Sequence, residues 1–277
     1  MANRTMTRVF TGALLLLATV PAIRAQALDL STGQVVDLST AQVVDLSHPY
    51  DAKTLYWPSA AGLSFSLEVL HSGPTPGGWF YAANRFCTPE HGGTHLDAPL
   101  HFGEGKRSVD QLPLRQLVAP GVVVDVRTPA ARDADYRLSL ADVTAWEAAH
   151  GAIPRGAIVL LRTGWEARWT DRKAYFGDDT PGDASHLHFP SFGTEAVKWL
   201  IEQRAIGAIG VDTASIDHGA SKDFPVHRVA AAHEVPGLEN LTNLAALPAR
   251  GFWIVALPMN IGGGSGAPLR AIALVAR

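Results

Sequence analysis

His91-Gly92-Gly93-Thr94-His95-Leu96-Asp97-Ala98-Pro99-Leu100-His101-Phe102 places three histidines and a carboxylate within eleven residues. Imidazole is a common metal ligand and the usual general base near neutral pH. His91 and His95 stand four apart, a spacing that shares one face on a helix. Gly92, Gly93 and Pro99 oppose a helix here, because glycine weakens one and proline breaks it. The stretch therefore reads as a turn running into an extended piece. Side chains alternate along an extended chain, so His95 and Asp97 point the same way. The glycines let backbone approach whatever His91 and His95 hold.

Outward from this stretch, the 277 residues alternate short apolar runs with helical patterns. Residues 122–126 and 158–161 read as fully buried strands. Between them, Ser139 caps a helix that Gly151 ends, with Leu140, Val143 and Trp146 at helical spacing. Residues 194–205 form a second helix and 205–211 the next strand. Pro225 opens a third helix, to residue 234, from the first turn, where its missing N–H costs little. Residues 252–257 and 269–275 close the chain as strands. The loop Gly262-Gly263-Gly264-Ser265-Gly266 between them lacks the Lys-Ser/Thr and following helix of a phosphate loop. Upstream, residues 64–70 alternate as a half-buried strand, 73–78 read as a loop, and 79–86 return to strand with Trp79 and Phe80 expected mainly in the core. Residues 236–240 read as a turn before a further helix. The whole predicts a single α/β domain over residues 42–277 with a mixed sheet, antiparallel toward its N-terminal end.

The N-terminus reads as a signal peptide over residues 1–27. Arg4 and Arg8 precede an apolar core from Val9 to Val20, and Ala25-Gln26-Ala27 offers cleavage sites after either alanine. Removal through Ala27 takes three arginines and no acid, so the formal net charge moves from −3 to −6. Export is the expectation. No other apolar run is long enough to span a bilayer, so no membrane association is expected after leader removal. Residues 30–37 and 38–45 duplicate a strand start. The second copy is expected in the domain, and residues 28–41 are expected to be loose. The lone Cys87 excludes an intrachain disulfide and a cysteine zinc site, and has no assigned role. The absence of a basic cluster excludes nucleic acid as an expected partner.

One cluster rarely completes a metal site, and composition alone does not choose its partners among the remaining histidines and acids. The run from His91 to Phe102 closely resembles the motif of the metal-dependent cyclase family, which includes bacterial kynurenine formamidase and isatin hydrolase. Val44–Pro49 with Trp57-Pro58, Val109–Val126, and Gly210–Thr213 through Asn240-Leu241 also match in order, so the resemblance covers about residues 42–276. It implies a swivelling β/β/α-like fold. It also implies His91, His95, Asp97, His227 and Glu239 as metal ligands, His101 as the catalytic acid/base and Trp57 as a substrate contact. A divalent ion, Zn or Mn, is expected, with two ions the fuller reading. A homodimer follows from the same resemblance. The chemistry it implies is attack by metal-activated water on an amide-type carbonyl of a small aromatic compound. An arylformamidase-like activity on formylkynurenine is the first expectation. A lactam or lactone hydrolase of the isatin type is the second, and a secreted metal- or ligand-binding module without catalysis is a third of another kind. The insert over residues 163–190 resembles the isatin hydrolase-like members more closely.

Overall fold

Val122 and Val124 pack into one apolar cluster while Val123, between them, packs into another. Residues 158–161 divide the same way: Ile158 and Leu160 go to one side, Val159 and Leu161 to the other. A strand buried on both faces has no polar side to show, which is why these runs carry no polar alternation. Full burial of each such side chain stabilises the fold by about 1.5–3 kcal/mol.

The computed structural model describes residues 40–59 and 64–276, within the compact unit Gln34–Arg277. The leader and the first copy of the duplicated strand start lie outside the described residues. The second copy supplies β1 (Gln42–Asp45), followed by β2 (Ser66–Pro74), β3 (Phe80–Cys87) and β4 (His95–Asp97). Next come α1 (Leu114–Leu117), β5 (Val118–Asp125), α2 (Arg127–Ala130), β6 (Arg137–Leu138) and α3 (Leu140–His150). The middle of the chain holds β7 (Ile158–Arg162), α4 (Arg172–Phe176), β8 (Ser191–Phe192), α5 (Thr194–Arg204) and β9 (Ala208–Val211). The last elements are α6 (Pro225–Ala232), β10 (Gly237–Glu239), β11 (Arg250–Pro258) and β12 (Gly266–Val275).

The main sheet runs β1-β12-β11-β5-β7-β9-β10-β4, and β4 pairs back onto β12, so seven strands close into a ring with β1 outside it. Strands β5, β7, β9 and β10 are parallel, whereas β1, β4, β11 and β12 join antiparallel. The mixed α/β fold is therefore as expected. Closure leaves little room inside, and small residues fill it: Ala119, Ala208, Ala256, Ala267, Ala271 and Ala273 lie among Leu96, Leu160 and Phe252. Outside the ring, Val143 and Trp146 of α3, Val197 and Leu200 of α5 and Val226 of α6 cover the outward-facing strand residues. Ser139 accepts the Asp142 amide at the start of α3, and the Asp142 carboxylate accepts the Ser139 amide in return, a reciprocal cap.

Three expectations are corrected. Residues 64–70 are not half-buried: β2 and β3 form a separate two-stranded hairpin with exposed side chains along nearly its whole length. Trp79 and Phe80 are 64% and 69% exposed on that hairpin, so they belong neither to the core nor to a ligand pocket, and Cys87 is exposed there too. Residues 237–239 are a buried strand rather than a turn. Alternation misleads in β2 because its apolar residues have no sheet behind them. The strand β10 is too short for periodicity to register.

A third apolar cluster comes from the insert. Trp165, Tyr175, Phe176, Leu187 and Phe189 gather with Leu55 and Ala214. Buried Asp212, at the end of β9, anchors the insert by accepting the Thr163 and Gly164 amides and the Thr163 hydroxyl. Burial raises its carboxyl to about 6. His48 follows β1 and stacks flat on Trp169 of the insert, ring centroids 4.0 Å apart. Its Nε2 is buried without a hydrogen-bond partner among the described residues, and burial lowers its pKa to about 4. The unfolded chain takes up this proton near 6.5 and the folded chain only near 4. Between those values the unfolded state binds more protons, so stability falls as pH drops through this window. Denaturant melts at pH 7.5 and 5 are expected to show a smaller acid loss for His48→Phe, which keeps the stack, than for the parent; equal losses would remove His48 as the cause.

Candidate metal centre

The two shortest strands of the ring, β4 and β10, carry the densest chemistry. His95 and Asp97 of β4 point to one side, as alternation demands, and β10 brings Glu239 directly opposite His95. Gly237 and Gly266 flank Asp97 on the two neighbouring strands. A methyl group at Gly266 would sit 2.4 Å from His91 Cε1. The absent side chain is the space the His91 ring occupies. Gly92 and Gly93, with φ of 136° and 59°, turn the chain so that His91 comes back over its own strand. His101 ends a short 3-10 turn begun by Pro99. Its ring stacks on that of His91, with centroids 3.7 Å apart. His227 enters from the first turns of α6.

Asp97 is the centre of the cluster. Its Oδ1 lies 2.7 Å from His91 Nδ1 and 3.1 Å from His95 Nε2, and its Oδ2 lies 3.2 Å from His227 Nε2. Glu239 adds its two oxygens at 3.5 Å from His95 Nε2 and 3.3 Å from His227 Nε2. His95, Asp97, His227 and Glu239 are all buried. All five residues expected as ligands, together with His101 and Trp57, line one cavity of about 260 Å³. Donor atoms of His95, Asp97 and Glu239 form one group close enough to share an ion; those of His91, Asp97 and His101 form another, with Asp97 common to both. His101 is therefore placed where it can ligate as well as where it can act as a base.

The electrostatics call for a cation. Among the described residues no lysine or arginine lines the cavity, yet two carboxylates face each other in it away from water. Burial, then the neighbouring Asp97 charge, raises the Glu239 carboxyl. Asp97 resists burial and stays well below the usual carboxylate range because His95, His227 and His91 surround it. Burial opposes charging of His95, but Asp97 and Glu239 outweigh it and raise its pKa to about 9. His227 is raised in the same way, against its own burial, by Asp217, Asp97 and Glu239. The carboxylates thus draw positive charge onto whatever stands between them. Imidazole nitrogens and carboxylate oxygens without thiolates suit Zn and Mn, so the residues fit a divalent ion. His101 differs: burial dominates and lowers it to about 4, which leaves its ring neutral near pH 7.

Several supporting residues escape sequence reading. Asp217 accepts His227 Nδ1–H at 2.7 Å and also the backbone amides of Val226 and His227, so it both caps α6 and turns Nε2 toward Asp97. His95 Nδ1 meets the Gly93 carbonyl at 3.0 Å, and the Asn240 amide donates to the same oxygen. Buried Tyr175 donates to Asn240 Oδ1. Such partners fix ring orientation and tautomer. Nothing in their spacing marks them; only the carboxylate ten residues before His227 offers a hint. Apart from Tyr56, Ser215 and Asn240, the rest of the cavity is apolar. Trp57 meets Phe224 edge-on at 6.1 Å, and Phe102, Phe176, Leu55 and Ala214 complete the wall. The insert, through Phe176, is thus part of the pocket.

The sequence profile of the family described as "Putative cyclase" matches residues 44–218. Isatin hydrolase from Roseibium aggregatum is 36% identical over 206 residues, which span 72% of this chain and 76% of that protein. Kynurenine formamidase from Sphingopyxis alaskensis is 28% identical over 229 residues, 82% of this chain and 94% of that protein. Among solved structures, isatin hydrolase A from Ralstonia solanacearum aligns with a TM-score of 0.76 at 37% identity, over 85% of this chain and 92% of that one.

Proposed function

The chain belongs to the cyclase family, and on that premise we propose that it is a metal-dependent hydrolase of the amide C–N bond in a small flat aromatic compound. The observation that carries this is the shared cavity: a buried His/Asp/Glu cluster, with an aromatic wall of Trp57, Phe102 and Phe224 beside it. A divalent ion held by His91, His95, Asp97, His227 and Glu239 supplies Lewis acidity for the carbonyl and lowers the pKa of water. Two ions would draw on His95, Asp97 and Glu239 in one group and on His91 and Asp97 in the other, and Zn or Mn suits their chemistry.

The chain's own residues do the rest. Trp57 and Phe224 hold the aromatic ring so that its carbonyl faces the carboxylate end. Neutral, buried His101 accepts a proton from the attacking water. A carbon–oxygen bond forms, the carbon–nitrogen bond breaks, and His101 returns the proton to the leaving nitrogen. The low-polarity wall keeps competing water away from that transfer. An isatin-type lactam is the favoured substrate, because the isatin hydrolases share more identity with this chain than the kynurenine formamidase does. Formylkynurenine is the second, being open-chain but cleaved by the same steps. Chelation followed by dialysis is expected to abolish hydrolysis of both, and added Zn or Mn to restore it; activity that survives metal removal would end this reading. His101→Ala is expected to keep its metal content while turnover falls about 100–10,000-fold. Parallel loss of metal would make His101 a ligand.

The signal-peptide pattern of residues 1–27 supports export from the cytoplasm. Among the described residues no helix is long and apolar enough to cross a membrane. The intact mass of protein recovered from the exported fraction is expected to fit cleavage after Ala25 or Ala27, and the full-length mass there would contradict it.

A homodimer is supported by the β2–β3 hairpin. It exposes Leu67, Val69, Leu70, Phe80, Tyr81 and Phe86. An isolated hairpin is marginal in water and an apolar patch of this kind marks an interface. A second copy of this chain covers it. Light scattering is expected to give twice the chain mass for the parent and the single mass for Leu67→Glu/Phe80→Glu with metal content unchanged; an unaltered mass would move the interface elsewhere.

A further inference from the structure

The Gly262–Gly266 loop is not a phosphate loop, but it is built around the metal centre. Ser265 sits with its hydroxyl 2.9 Å from His91 Nε2, the ring nitrogen that faces away from Asp97. The same hydroxyl lies 2.6 Å from Glu90 Oε2, and the Ser265 amide donates to that oxygen as well. The glycines shape this arrangement. A methyl at Gly264 would come within 2.9 Å of Glu90 Oε1, and one at Gly266 would strike the His91 ring. The loop is pinned from three sides: Ala98 donates to the Ser265 carbonyl, Val109 to the Gly264 carbonyl, and the Gly263 amide to Asp110.

Counting protons along the chain of contacts decides the histidine tautomer. The Glu90 carboxylate only accepts, so the single Ser265 hydroxyl proton goes to it. The Ser265 oxygen is then left to accept, and His91 Nε2 must be the donor. In the neutral ring, the form that can ligate a metal, His91 Nδ1 then presents its lone pair, 2.7 Å from Asp97 Oδ1. Two lone pairs face each other there, an arrangement that needs a cation close to both. In His95 and His227 the roles are reversed: Nδ1 is taken by Gly93 or Asp217 and Nε2 faces the carboxylates.

We propose that Glu90 and Ser265 are positioning residues that hold His91 in the Nε2–H tautomer, so that it ligates through Nδ1 while His95 and His227 ligate through Nε2. The inference rests on the metal-centre reading above. Removing the serine hydroxyl frees the ring to rotate and to change tautomer, and lets the Glu90 charge go unshared. Partners of this kind are worth about 10–100-fold in metal affinity.

The test is a competition titration of metal-free full-length protein with Zn against a chromophoric chelator, run on the parent, Ser265→Ala, Ser265→Thr and Glu90→Gln. Ser265→Ala and Glu90→Gln are expected to bind about 10–100-fold more weakly. Ser265→Thr, which keeps the hydroxyl, is expected to stay near the parent. Circular dichroism on each variant separates loss of the ligand from loss of the fold, and the near-isosteric Glu90→Gln stands if Ser265→Ala fails to fold. Long-range proton–nitrogen correlation on the zinc-loaded parent is expected to show one ligand histidine protonated at Nε2. A parent that binds no Zn overturns the metal centre and this inference with it. A parent that binds while Ser265→Ala and Glu90→Gln bind equally well, or whose ligand histidines are all protonated at Nδ1, overturns the positioning role alone.

Discussion

Strand β4 is three residues long and is hydrogen-bonded on both sides, to β10 and to β12. It closes the ring. Leu96 turns into the ring interior and is fully buried, while His95 and Asp97 turn the other way into the cavity. One short strand thus answers two demands at once, and the period-two alternation of the backbone separates them. A slip of one residue would put the ligands in the core and the leucine in the site. The register is held by Glu239 opposite His95 and by glycine on either side of Asp97.

The second constraint is charge. Two buried carboxylates share a cavity lined by no lysine or arginine among the described residues, and the histidines around them are drawn toward the charged state. An unpaired buried charge costs several kcal/mol, and a protonated histidine or a bound cation beside the carboxylates offsets that cost next to the apolar wall. Each histidine is braced from behind by a different acceptor: a main-chain carbonyl for His95, a carboxylate for His227 and a hydroxyl for His91. The fold holds the ring nitrogens before any ion arrives, which is what makes a site selective for geometry.

Much of this was legible in the sequence, and for physical reasons. Residues 122–126 and 158–161 announce buried strands because full burial leaves no polar positions. The helix from Leu140 declares itself through Ser139 and Gly151, whose capping chemistry is local. His95 and Asp97 share a face by alternation alone. The rest required contacts between distant segments. His227 and Glu239 came from family resemblance, since nothing local distinguishes them from other histidines and acids. Asp217, Asn240, Tyr175 and Ser265 act through hydrogen bonds to residues 10 to 174 positions away, and no pattern along the chain encodes that. The misreading of β2 and of Trp79 and Phe80 has a single cause. Apolar alternation reports a surface that is covered, and here the chain does not cover it itself.

The closure of the ring also sets the order of events during folding. Strand β4 reaches its neighbours only across about 140 residues to β10 and about 170 to β12. Parallel strands β5, β7 and β9 and their covering helices pair across much shorter separations. Long-range pairings pay the larger loop entropy and come late. The ion-holding cluster exists only after those long-range pairings, so a partly folded chain offers scattered imidazoles rather than a site. A site of this kind takes up a metal only once these distant segments have met, and an ion that binds the folded chain alone stabilises it by mass action.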